Sequence, residues 1–275
     1  MEKLLFTNLP KFNLQPADKI YVIDEKIGAV GIVRIKRKDE SKYVSGIYSC
    51  KTGELLLSDA EYDEIYVDEN GYGRDSKFYY KVVKDGKFGA ISPDGVLALE
   101  PEYLDITDLV SGTLIVKIAP KKYAAYSVYG EELLPAKYIK MKREKSFIIA
   151  TTSDNEVSII HDGQVLVRDV KCKSVSHYWY YVVIHKENSF ILCSIKGLIG
   201  EFEGSSRYRQ GQCIEITNGK RKGLIDGIDG SIIIPMDEYR SIKKQYATYV
   251  AERMNGTTIT GVSKSWWLRK SLGQR

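Results

Sequence analysis

Long apolar runs are missing from this 275-residue chain. No stretch of 18 apolar residues occurs, so nothing reads as a membrane-spanning helix. Near the N-terminus Leu4-Leu5-Phe6 falls short of the apolar core of a secretion signal, which takes about 7–15 residues. Cysteine is scarce. Cys50, Cys172, Cys193 and Cys213 form no Cys-x-x-Cys pair and stand apart from His161, His177 and His185. Neither a disulfide framework nor a zinc site is implied, and each thiol reads as a small core residue. The expectation is a reduced, cytoplasmic chain without metal or cofactor. A sustained 3.6-residue apolar period is also absent, so little helix is expected.

Catalytic arrangements are missing too. Asp59-Ala-Glu61-Tyr-Asp63-Glu64 is acid-rich, but strand alternation splits its carboxylates between two faces. Gly71-Tyr-Gly73-Arg74 is followed by no helical pattern whose N-terminus could hold a phosphate. His177 and His185 are eight residues apart, about 25 Å along an extended strand. No Gly-x-Ser-x-Gly elbow occurs. The chain reads as a non-enzyme.

What the sequence does contain is tyrosine and a repeat. Tyr occurs 20 times against 7 Phe and 3 Trp, a bias that favours strands. Turn glycines recur at Gly53, Gly95, Gly130, Gly163, Gly197 and Gly230, with spacings of 42, 35, 33, 34 and 33 residues. Their surroundings recur as well. GAISPDGVLALEPEYLDI (89–106) is restated by AAYSVYGEELLPAKYIKM (124–141) and by GLIDGIDGSIIIPMDEYRSI (223–242). GIYSCKTGELLLSDAEYDEI (46–65) is a fourth copy, with Ser58 in place of Pro, and the copies at 157–175 and 190–208 lack Pro-x-x-Tyr.

This unit resembles the bacterial WG-repeat family, whose pattern is roughly Gly-Lys-Trp-Gly-Tyr-Ile-Asp-x-x-Gly-Lys-x-Val-Ile-x-Pro-x-Tyr-Asp. The resemblance covers nearly the whole chain, although the name-giving pair stands as Phe88-Gly89 and Lys222-Gly223 and is missing elsewhere. It implies a β-rich interaction module without catalytic residues.

Each copy divides into four short strands, in the second copy 78–84, 87–92, 96–99 and 103–108, with Pro101 between strands. First strands begin near Ala29, Phe78, Thr113, Ser146, Trp179, Gln212 and Ala247, which makes seven units of mostly 33–35 residues. Leu14–Tyr21 aligns with Leu99–Ile106, the start of a fourth strand that the last unit lacks. The expected fold is therefore all-β: one repeat domain over 1–275, a seven-bladed β-propeller-like ring. Residues 1–23 would close its last blade, and 268–275 would be a short basic tail. An open β-solenoid is the alternative.

Charge is unevenly spread: +4 over residues 1–53, −9 over 54–108 and +10 over 109–275. Basic residues cluster at Arg143 and Lys145, at Arg209, at the hairpin tip Lys220-Arg221-Lys222, and at Lys243-Lys244. A ring would bring the loops near 143–146, 209–211 and 244–246 to one face. The expected function is a protein-binding scaffold or adaptor that meets an acidic partner through these residues. Nucleic-acid binding through the same basic face, and a sugar or small-ligand site, are the alternatives. Lys264-Ser-Trp266-Trp267-Leu268-Arg269-Lys270 reads as a last strand that buries one Trp, or less simply as a docking peptide.

Overall fold

The computed structural model of the protein describes residues 19–22, 30–36, 43–49, 55–58, 62–67, 79–92, 96–110, 112–210, 212–245 and 248–262. Among them the chain is all-β, with no helix and seven successive antiparallel sheets. It divides into two compact units, Met1–Met141 and Lys142–Arg275.

The first unit carries three sheets. Sheet one is β1 (Lys19–Val22), β2 (Val30–Lys36), β3 (Tyr43–Ser49) and β4 (Leu55–Ser58). Sheet two is β5 (Glu64–Val67), β6 (Tyr80–Lys84), β7 (Lys87–Ile91) and β8 (Leu97–Tyr103). Sheet three is β9 (Asp105–Val110), β10 (Thr113–Ala119), β11 (Lys122–Ser127) and β12 (Glu132–Tyr138). Each is an up-and-down meander in sequence order. Sheets two and three share a core of Tyr79, Ala90, Leu99, Tyr103, Leu114 and Val116.

The second unit repeats the plan, its first strand beginning two residues before the unit boundary. Sheet four is β13 (Lys140–Glu144), β14 (Phe147–Thr151), β15 (Glu156–His161) and β16 (Gln164–Lys171). Sheet five is β17 (Ser174–His177), β18 (Tyr181–His185), β19 (Ser189–Ser194) and β20 (Gly197–Glu203). Sheet six is β21 (Ser205–Arg209), β22 (Cys213–Asn218), β23 (Arg221–Asp226) and β24 (Ile232–Asp237). Sheet seven is β25 (Tyr239–Gln245), β26 (Thr248–Arg253) and β27 (Thr258–Val262), three strands among the described residues.

The apolar runs explain this stacking. Phe147-Ile-Ile-Ala150 and Tyr181-Val-Val-Ile184 are buried at every position, so their strands are covered on both faces. In sheet five, Val182, Ile184, Ile191 and Cys193 pack toward sheet four. Tyr181, Val183, Phe190 and Leu192 pack toward Ile214, Ile216 and Ile225 of sheet six. Leu224, Ile233 and Ile234 of sheet six in turn meet Tyr239, Tyr249 and Ala251 of sheet seven. Four-stranded meanders stacked by two apolar faces are the blade-type repeat that the sequence implies.

The Pro-x-x-Tyr element has a different role from the one expected. Pro101 does not lie between strands, and Tyr103 does not open one: both belong to β8, and Tyr103 ends it. The register slips there, since Phe88 faces Tyr103 while Ala90 faces Leu99. Pro135 and Pro235 lie at matching slips. Proline suits an outer strand at a bulge, where no ladder hydrogen bond is demanded of it. One residue, Leu104, then separates β8 from β9, and its N–H already donates to Lys117 O in the next sheet at 2.8 Å. Gly204 and Glu238 make the same one-residue passage before β21 and β25. From sheet two on, the fourth strand thus runs on into the first strand of the next sheet with one residue between them, or two (Cys172 and Lys173) after β16.

Of the expected N-terminal closing segment, only Lys19–Val22 is described. Lys19–Val22 is the first strand of sheet one, with Lys19 facing Lys36 and Val22 facing Val33. Residues 1–18, the tail 268–275, Trp266 and Trp267, the 68–77 loop, Gly53 and Gly95 lie outside the described residues. Of the recurring turn glycines, Gly163 (φ 71°) and Gly230 (φ 70°) supply the left-handed position of short hairpins.

Candidate binding surface

In the second unit the first strand of each sheet passes to the second at one end, marked by residues 145–146 in sheet four, 178–180 in sheet five, Gln210 and Gln212 in sheet six, and the pair Gln245 and Thr248 in sheet seven. At this end the described turns touch one another in series. Lys145, held at φ 60°, places its Nζ 4.1 Å from the centroid of the Trp179 ring. The ring is 56% exposed, so this cation–π contact lies at the surface. Arg143 Nε donates to Lys145 O at 3.1 Å and ties the turn to its strand. Beneath it, His177 Nε2 is 3.2 Å from Glu144 Oε2, and Lys142 Nζ also reaches Glu144. The Lys142 hydrogen bond is the main cause that holds the Glu144 carboxyl below the usual carboxylate range; partial burial opposes it, and His177 and Lys145 reinforce it.

Sheet five meets sheet six through rings. Tyr178 stacks on Tyr208 with centroids 4.9 Å apart and planes at 12°, and lies 4.8 Å from Tyr181. Burial pushes the Tyr178 and Tyr181 hydroxyls up, so both stay protonated. Next to Tyr208, Arg209 donates from Nε and a terminal nitrogen to one oxygen of Glu215, at 3.0 and 2.5 Å. Sheet six meets sheet seven where the Tyr249 hydroxyl donates to Gln210 O. Arg209, Gln210, Ile242, Lys243, Lys244 and Tyr249 line a groove of about 270 Å³ at this junction.

Of the residues expected to bind, Arg143, Lys145, Arg209, Lys243 and Lys244 therefore lie at one end of the second unit. Lys220, Arg221 and Lys222 do not. Their hairpin joins β22 to β23, and Arg209 faces Cys213 at the other end of β22. The two ends are about 17 Å apart along the strand. Arg221 is also engaged, donating to Met236 O at 2.9 Å.

The two histidines are separated, but by a hairpin rather than along one strand. His177 faces Val182, while His185 faces Ser174 at the far end. Ser176 Oγ, on the same sheet, is 2.9 Å from His185 Nε2, and Ser206 Oγ of sheet six is 3.5 Å from its Nδ1, a contact that links sheets five and six. Burial lowers the His185 pKa.

Glu215 was not foreseen from the sequence. In Cys213-Ile-Glu-Ile-Thr-Asn218 it looks like an outward residue of a half-buried strand, yet its side chain is only 8% exposed. The signal was available across the tight turn: Arg207 faces Glu215, which makes Arg209 its diagonal cross-strand neighbour. Trp179 and Tyr208 lie beside residues already singled out, but only the turn geometry shows that they join sheets.

No family model and no curated protein matches the sequence. Solved structures similar to the chain include the computationally designed protein Ika8 (11% identity, 87% of this chain and 81% of that one, TM-score 0.26). BamB from Moraxella catarrhalis is similar at 9% identity, over 86% of this chain and 82% of that one, with TM-score 0.22. Hsv2p from Kluyveromyces lactis is similar at 8% identity, over 87% and 92%, with TM-score 0.27. At these TM-scores the likenesses carry no argument, and the fold rests on the strands and their pairing.

Proposed function

We propose that the chain is a non-catalytic interaction module that binds an acidic protein segment along the first-turn end of sheets four to seven. The observation that carries this reading is the series of junction contacts Lys145–Trp179, Tyr178–Tyr208 and Tyr249–Gln210 along four sheets, in which the Trp179 and Tyr208 rings are exposed beside cations. Rings of this kind give apolar area at low entropy cost, and Trp, Tyr and Arg are the residues that dominate protein interfaces. The +10 balance of residues 109–275 steers an acidic partner toward it.

The test is affinity purification with the full chain, with nuclease controls, beside the Trp179→Ala/Tyr208→Ala variant. A nuclease-resistant protein partner is expected to be lost from the variant by about tenfold or more in affinity, with the variant still folding cooperatively and its melting temperature lowered only by the loss of the Tyr178–Tyr208 stack. Retention of every partner by the variant would sink the proposal. A nucleic-acid reading has its own support, because exposed aromatic faces beside ammonium groups also stack bases. Its mark is a nuclease-sensitive partner whose affinity falls steeply and linearly on a log–log salt plot.

A further inference from the structure

We propose that the groove between sheets six and seven is a pocket for a phosphomonoester carried on a protein side chain. The inference rests on the interaction reading above and names what one part of that surface selects.

Arg209 is built into place. Both of its contacting N–H groups end on one oxygen of Glu215, a carboxylate buried on β22. An ion pair of this kind adds little net stability, because the carboxylate must leave water. What it does secure is the guanidinium, whose plane and direction are fixed. Three of the five guanidinium N–H groups are left over, on a side chain 35% exposed that lines the groove. A planar fork held from behind is the arrangement that recognises tetrahedral oxyanions through paired hydrogen bonds.

The charge count favours a dianion. Glu215 offsets Arg209, and Lys243 and Lys244 add two positive charges. None of the described residues that line the groove is acidic. A phosphomonoester carries about −1.5 to −2 at pH 7. A carboxylate or a phosphodiester, with one negative charge, leaves a cation unmatched.

Size points the same way. About 270 Å³ lies just below the roughly 300–1,000 Å³ of pockets that enclose a whole small ligand. The groove suits a headgroup whose carrier lies outside. Buried Ile242 and Tyr249 form the apolar lining, and the Tyr249 hydroxyl fixes the Gln210 carbonyl at its rim. Tyr208 and the aromatic series run on from Arg209, so residues flanking a phosphorylated side chain have a surface to lie on.

Titration of the full chain with an acidic phosphoserine peptide, its unphosphorylated counterpart and inorganic phosphate as competitor tests the proposal. The phosphopeptide is expected to bind at least tenfold more tightly, and phosphate to displace it. Lys243→Gln/Lys244→Gln, at two exposed positions, should weaken the phosphopeptide far more than the unphosphorylated acidic peptide and so close most of that gap. Arg209→Lys, which keeps the charge and a partner for Glu215 but loses the fork, should reduce the gap as well. Trp179→Ala should weaken both peptides alike. Equal affinity for the two peptides overturns the pocket and leaves the interaction reading standing. Binding of neither peptide, with retention of a single-stranded oligonucleotide, overturns both.

Discussion

Cys193 sits fully buried on β19 between sheets four and five, and burial pushes its thiol up to about 12. The thiolate is the reactive form, so this side chain is both inaccessible and protonated at neutral pH. Native protein treated with iodoacetamide at pH 8 is therefore expected to remain unlabelled at Cys193, with labelling appearing once denaturant unfolds the second unit; peptide mass spectrometry reads the site directly. Rapid labelling of the native chain at this position would contradict the packing. The role of this cysteine was legible in the sequence, because it lies in the apolar run Phe190-Ile-Leu-Cys193 and has no partner at metal-site spacing. Glu215 was not legible in the same way. A Glu between two isoleucines signals an exposed face only when one face of the strand is wet, and in sheet six both faces are covered. His177 stands between these cases: its lack of a metal partner could be read from spacing, but its contact with Glu144 depends on two turns, 33 residues apart, meeting.

At the scale of the strand, the bulge on β8 sets the requirement for glycine at position 89. A Cβ there would stand 2.7 Å from Leu99 O and 2.9 Å from Pro101 N, both backbone atoms of the slipped strand. Gly89→Ala is expected to cost about 1–3 kcal/mol, the range of overpacking in a tight core. Urea denaturation measures it. The matching position in sheet three is Ala124, fully buried in the core with Leu114 and Val116, so Ala124→Gly should cost about 1 kcal/mol or less, mainly through backbone entropy. In sheet four the position is Ser158, whose hydroxyl accepts the Asp169 N–H at 2.9 Å, a third solution to the same slip. An Ala at 89 that leaves the urea midpoint unchanged would show that the slipped strand can retreat. The strands and turns themselves could be read from apolar runs and turn glycines. Their grouping could not, because Pro101 looks like a terminator. The slip that lets proline stay inside β8 is a matter of pairing, invisible along a single strand.

For the molecule as a whole, the cores between sheets make neighbours dependent on each other. Phe190 is fully buried where sheet five meets sheet six, stacked on Phe202 at 5.2 Å. Phe190→Ala is expected to cost about 3–5 kcal/mol. In a repeat array, stability is a sum of unit terms and nearest-neighbour terms. Hydrogen exchange should therefore lose protection in β18–β19 and in β22–β23 together. Loss confined to sheet five would mean that the faces are merely adjacent. The number of units and their all-β character could be counted in the sequence, since glycine spacing survives divergence. Which basic loops share an end could be counted only in part, because the strand phase decides it: Arg209 and Lys220 are close along the chain and at opposite ends of one strand. The same phase has a consequence for how such a chain arises. From sheet three onward the first strands start at Asp105, Lys140, Ser174, Ser205 and Tyr239 with at most two residues between one sheet and the next, so a segment of 33–35 residues there holds about one full set of strands wherever it starts. A gene duplication or deletion of that length creates no joint that the protein did not already have, and an array of this design can lengthen or shorten by single steps while each copy drifts in sequence.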